Sequence, residues 1–228
     1  FMLACIPTII ALYVLYKKVK YHDEPYKAIR REPNWNIKHI KYLSHEYWHF
    51  LILVSLIMLN RFSEGFITLK AKAILPNSLS DFPLYMGIYE LCIVLTAIPM
   101  GMLSDKVNKY KVILIGLIAV FLADIFGILA NNTIGIVMIY ILCGIHMGST
   151  HSILTSIIAK TAPKELIGTA FALYYGIDGI VLFIANNLAG SIGKLFNNWF
   201  DIPITSGPFI IGLFTTTIAI LYTINLSI

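Results

Sequence analysis

The sequence predicts an all-α, polytopic bundle of membrane-spanning helices. Three features carry that prediction: the composition, a series of long apolar runs, and a one-sided placement of cations. Of 228 residues, 58% are hydrophobic and 13% charged, whereas a water-soluble domain carries about a quarter charged residues. A span needs about 20 apolar residues to cross the hydrocarbon core, and six runs of that order follow one polar stretch. A single membrane domain therefore accounts for most of the chain.

In order along the chain, the first apolar run, 1–16, ends in Lys17, Lys18 and Lys20. It has neither a basic leading region nor a small-residue cleavage site, so it does not read as a signal peptide. It reads as the end of a span, a partial transmembrane helix that implies a preceding N-terminal part of a longer protein. Residues 17–48 form the long polar stretch, with eight Lys/Arg, four acids, Pro25 and Pro33. They are expected to make a cytoplasmic central loop. Beyond Pro33 and Asn34, the residues Trp35, Ile37, Ile40 and Leu43 recur near helical spacing, which predicts an amphipathic segment on the headgroups. The apolar runs 49–74, 82–103, 110–130, 133–159, 166–196 and about 205–228 then make residues 49–228 one six-helix domain.

Within these runs, Pro99 with Gly101 is expected to bend its helix, because proline removes a backbone bond and crowds the preceding turn. Gly168, Ala172 and Gly176 form a small-xxx-small ladder of the kind that lets a neighbouring helix approach closely, and Ala189, Gly190 and Gly193 extend it. Cys5, Cys92 and Cys143 lie far apart inside apolar runs and read as small packing residues, with no metal-ligand spacing.

Orientation follows from the lysines and arginines in the connections. With 17–48 inside, that side collects thirteen of them, including Lys106, Lys109, Lys111, Lys160 and Lys164; the other side has Lys70, Lys72 and Lys194. The net charge of +5 and pI near 9.0 thus sit where basic residues meet anionic lipid headgroups. No nucleic-acid partner, cofactor or ATP-binding site is expected.

Between the second and third full spans the chain reads Gly101-Met102-Leu103-Ser104-Asp105-Lys106-Val107-Asn108-Lys109-Tyr110-Lys111. This resembles the G-x-L-a-D-r-x-G-r-r loop of the major facilitator superfamily. Asn108 takes the place of a glycine, with lysines for arginines at 106 and 109; asparagine tolerates the left-handed turn that glycine would supply. Arg61-Phe62-Ser63-Glu64-Gly65-Phe66 is similar to a seventh-helix pattern of bacterial members. Ala162-Pro163-Lys164-Glu165-Leu166-Ile167-Gly168-Thr169-Ala170-Phe171 is similar to the entry of an eleventh helix, with Ile167 where arginine is common. The resemblance runs from the end of helix 6 through helix 12, and it implies the C-terminal half of a transporter. Gly101, Asp105, Lys106 and Lys109 are then the conformational loop. A small solute is expected to cross by alternating access in a bacterial plasma membrane, with the N-terminal half and membrane lipids as partners.

Ionisable groups inside spans default to functional candidates, because hydrocarbon makes them costly. Arg61 and Glu64, three apart, are expected on one helix face as a mutually neutralising pair. Glu90 beside Tyr85 and Tyr89, and Asp178 between Gly176 and Gly179, are candidate proton carriers. His146, near Tyr140 and Thr150, completes the predicted pathway. Carboxylates dominate this set, so proton coupling is the expected drive. Asp124 is left aside, since its helix lies at the periphery of the family's bundle.

A competing pattern is His45-Glu46-Tyr47-Trp48-His49, the H-E-x-x-H motif of zinc metalloproteases. Asp178-Gly179 would be available as a third ligand in an intramembrane protease. The motif falls at the edge of a span, where Tyr47 and Trp48 suit the interfacial aromatic belt. A membrane fragment without transport activity is the other alternative.

Overall fold

The computed structural model describes residues 5–18, 43–75, 82–163, 166–200 and 202–227. Trp35, Ile37 and Ile40, the core of the expected amphipathic segment, lie outside the described residues. The chain divides into two units, Phe1–Ile37 and Lys38–Ile228. In the first, α1 (Cys5–Lys18) is a single helix in which Lys17 Nζ donates to the Tyr13 hydroxyl at 2.9 Å.

The second unit is helical throughout its regular structure: α2 (His45–Leu59), α3 (Glu64–Ile74), α4 (Phe82–Lys106), α5 (Lys109–Leu129), α6 (Thr133–Thr161), α7 (Ile167–Phe200) and α8 (Gly207–Ser227), with a 3-10 turn, Ile204–Ser206, before α8. Among the described residues there is no strand. Among the described residues six spans are long and apolar enough to cross a membrane, with α2 and α3 together making the first.

The helix boundaries follow from capping chemistry. Ser44 Oγ accepts from Tyr47 N at 3.2 Å, so α2 starts at His45, ahead of the apolar run. The expected continuous helix over 49–74 is interrupted instead. Asn60 ends α2, and Ser63 starts α3 by accepting from Gly65 N at 3.2 Å. Short polar side chains such as these compete with the helix for its own backbone groups. Asn108, expected in a left-handed turn, has φ −56° and caps α5, its side chain accepting from Tyr110 N at 3.0 Å. A cap needs only an acceptor on a short arm, and asparagine supplies it without glycine's freedom. The helix α4 runs on through Pro99 to Lys106.

Helix α6 is central, packed closely against α4 and α5; α5 also packs on α8, and α2 on α7 and α8. One core gathers Phe50, Leu53 and Ile57 of α2 around Ile113 and Leu117 of α5, Ile153 of α6 and Tyr174 of α7. The Phe50 and Tyr174 rings stack, and the buried Tyr47 hydroxyl donates to Ala170 O at 2.7 Å. A second core joins Ile67, Tyr85, Tyr89, Ile139, Tyr140 and Phe209. Several serine and threonine hydroxyls inside spans are satisfied within their own helix, as where Thr150 Oγ1 donates to His146 O and Thr223 Oγ1 to Ala219 O. In lipid there is no water to do so.

Packing is uneven. Half of the apolar stretch is buried in α5 and α6, but only 6% in α4 and 11% in α7. The glycines show the same division. A Cβ on Gly144 would lie 2.6 Å from Tyr89 O, and one on Gly148 2.7 Å from Ile93 O, so α4 and α6 touch backbone to backbone. Gly168 and Gly176 have nothing within 4 Å of that position, and Ala172 is exposed with them. The 168–176 part of the expected ladder is therefore open within this chain. At its other end Ala189 and Gly193 do pack, and between them α7 is held through Ala170, Tyr174 and Ala185.

Candidate functional site

The break between α2 and α3 sets the site, because unwinding frees four residues from the helical ladder inside the bundle. Asn60 turns inward and is buried, Nδ2 donating to Asp124 Oδ2 at 2.8 Å and to Thr216 Oγ1 at 2.6 Å. Ser63 N donates to Asn186 Oδ1 on α7 at 2.9 Å, which ties the far side of the break to another span. Arg61 lies between these two anchors.

Arg61 and Glu64 are not paired as a helix face would pair them. With the helix unwound between them, the three-residue spacing no longer sets their geometry, and each has its own partner. Arg61 Nη1 approaches Met58 Sδ at 3.8 Å, while Glu64 Oε1 accepts from the Tyr89 hydroxyl at 3.4 Å. Glu64 is also the first residue of α3, where a carboxylate meets the positive end of the helix dipole. Arg61 lies within electrostatic reach of Tyr89 on α4, His146 and His151 on α6, and Tyr174 on α7. Asp178 is within reach of His151 and Tyr174 as well. Its Oδ1 is buried without a hydrogen-bond partner. The structure thus brings Arg61, Asp178 and His151 into one region. Glu64 is joined to α4 through Tyr89.

The other two predicted positions, His146 within reach of Arg61 and Glu90 outside it, are held differently. His146 is buried, and its Nδ1 lies 3.0 Å from Gly116 O on α5. A carbonyl only accepts, so Nδ1 carries the proton and the ring fastens α6 to α5. Glu90 follows Tyr89 in sequence but projects onto the exposed face of α4 with Leu84, Leu91 and Val94.

At the α4–α5 connection, Asp105 and Lys106 are exposed, and Asp105 is within electrostatic reach of Lys109. Lys109 Nζ donates to Ser156 Oγ on α6 and shares a cavity of about 380 Å³ with Lys160, Glu46 and His49. Gly101 has open space around it. The H-E-x-x-H histidines face each other, Nε2 to Nε2 at 2.9 Å, and His49 Nδ1 is held by the Tyr222 hydroxyl at 2.7 Å. Among the described residues no three His, Cys, Asp or Glu side chains converge as metal ligands.

The sequence reading missed Asn60, Asp124, Asn186 and His151. Asp124 carries the right signal, an ionisable group in a span, which the expected peripheral position of its helix outweighs. Asn60 and Ser63 carried a capping signal that the surrounding apolar run obscured.

A multi-pass helical bundle whose broken span presents ionisable groups to neighbouring helices is the arrangement of a membrane transport protein. The model of the Major Facilitator Superfamily matches residues 50–226, and the chain belongs to that family. An uncharacterised MFS-type transporter of Methanocaldococcus jannaschii is similar, with 24% identity over 162 residues that cover 68% of this chain and 40% of that protein. The chain therefore spans well under two thirds of that relative's length. No solved structure matches the chain. The protein is an integral, multi-pass membrane protein of a transporter family.

Proposed function

We propose that the chain is the C-terminal bundle of a secondary transporter that moves a small solute by alternating access, coupled to protons, in a bacterial plasma membrane. One observation carries this reading. Every described glycine with nothing within 4 Å of its Cβ position, namely Gly87, Gly101, Gly168, Gly176, Gly179 and Gly190, lies on α4 or α7. The same two helices expose Glu90 and carry the unpartnered Asp178 oxygen. Lipid has no use for an exposed carboxylate beside small residues, but a second helical bundle does. Residues 1–16 and 17–48 are then the end of helix 6 and the central cytoplasmic loop, with 49–228 as helices 7–12.

The solute and proton pathway runs past Arg61, Glu64, Asp178 and His146, with Glu90 facing the other half. Gly101, Asp105, Lys106 and Lys109 form the inner loop that changes contacts as the halves rock, and Gly168, Ala172 and Gly176 receive a helix of the missing half. The test is reconstitution of the chain with and without a candidate N-terminal half, followed by uptake of a metabolite panel under an imposed pH gradient. Gradient-driven uptake is expected only with both halves and is lost with Asp178→Asn. Saturable uptake by the chain alone would refute the half-bundle reading.

A further inference from the structure

Asp124 is 1% exposed, in the middle of a membrane bundle, and its nearest polar partners are Asn60 and Thr216. Neither is a cation. The Arg61 guanidinium, one residue from Asn60, is directed at Met58 Sδ. From α6, the group in electrostatic reach is the Cys143 thiol. On α8, which packs over the site, Gly212 and Thr216 face it, and that helix's titratable Tyr222 is engaged with His49. On α4, Tyr89 is bonded to Glu64. An ionised carboxylate here would be a buried, unpaired charge, which is among the costliest states a bundle can hold.

The amide geometry points the same way. Asn60 Nδ2 donates to Asp124 Oδ2, while Asn60 Oδ1 is buried with no partner. A Cβ on Gly212 would collide with both Asn60 Oδ1 and Asp124 Oδ1, so these two oxygens converge on one spot. Two acceptors facing each other repel; an acceptor facing a carboxylic acid hydroxyl forms a hydrogen bond. One proton on Asp124 Oδ1 would turn this approach into a ring of two hydrogen bonds, amide to acid and acid to amide. Exchange of the amide nitrogen and oxygen leaves the ring intact, because a neutral acid offers one donor and one acceptor in either sense.

We propose that Asp124 is a resident proton site: it holds its proton at neutral pH, and the ring it forms with Asn60 pins the α2–α3 break to α5 and α8. Loss of that proton would set a carboxylate against the Asn60 carbonyl and release the hinge beside Arg61. Gly212 is the residue that leaves room for the pair.

Infrared difference spectra of the purified chain, wild type minus Asp124→Asn, test this at pH 7. A carbonyl-stretch band of a neutral carboxylic acid is expected, together with an apparent unfolding midpoint for Asp124→Asn within about 3 °C of wild type. A paired asparagine keeps both bonds of the ring. Asp124→Leu, which strands the Asn60 carbonyl and leaves Nδ2 with Thr216 alone, is expected to lower the midpoint by more than about 5 °C. Absence of the acid band would overturn the proposal, as would Asp124→Asn failing to fold or falling as far as Asp124→Leu.

Discussion

Replacing Gly148 with alanine tests the contact that holds the centre of the bundle. The new Cβ would lie 2.7 Å from Ile93 O and 2.9 Å from Thr96 Cβ, and in Gly144→Ala it would lie 2.6 Å from Tyr89 O and 2.7 Å from Cys92 Cβ. Carbon contacts are comfortable at about 3.5–4.0 Å, so α4 must withdraw from α6 by about 1 Å. The neighbours are largely backbone and cannot rotate aside. Overpacking of this kind costs about 1–3 kcal/mol, while alanine recovers about 1 kcal/mol of helix propensity. Gly176→Ala makes the same chemical change in open space and recovers the propensity alone, so the difference between the two variants isolates the steric cost. Equilibrium unfolding in mixed micelles, followed by circular dichroism, is expected to place Gly148→Ala about 1–3 kcal/mol below Gly176→Ala. The double variant Gly144→Ala/Gly148→Ala should cost less than the sum, because one displacement relieves both clashes. Equal stability of Gly148→Ala and Gly176→Ala would refute the close approach of α4 and α6.

Ser206→Ala removes the partner of the buried Lys70 ammonium, whose Nζ donates to Ser206 Oγ at 2.8 Å; a loss of about 1–3 kcal/mol in the same unfolding assay is expected. Asn186→Leu should loosen the α2–α3 break, since its Oδ1 accepts from Ser63 N, and limited proteolysis would report faster cleavage near residue 63. Single cysteines at 108 and 132 should label from opposite sides of the membrane, with position 108 protected in intact cells; labelling of 108 from outside would reverse the orientation. Purified chain should contain no stoichiometric zinc by metal analysis, and His49→Phe should cost stability through the lost Tyr222 bond rather than through metal.

The spans were legible because hydropathy averages over some twenty residues, and a bilayer imposes that length on every helix. The same averaging hid the Asn60–Ser63 break, whose signal is two capping residues inside a strongly apolar window. Capping was also the missed reading of Asn108, where a comparison with glycine pointed to turn conformation. Gly144-xxx-Gly148 and Gly168-xxx-Ala172-xxx-Gly176 have the same spacing, yet the first lies against backbone and the second in open space. Spacing places residues on a face but does not say what that face meets. Arg61 and Glu64 show how one local break undoes an inference that assumes regular helix.

The open glycines of α4 and α7 bear on how this protein can be engineered. A library screened for heat resistance of the chain on its own would favour alanine at Gly87, Gly168, Gly176 and Gly190, each worth up to about 1 kcal/mol in helix propensity with no neighbour to object. The winners would be sturdier and, on the reading proposed above, progressively unable to seat the other half. Selection on the fragment and selection on the assembled carrier would then drive the same positions in opposite directions. A trade-off of that kind between robustness and assembly is measurable one glycine at a time.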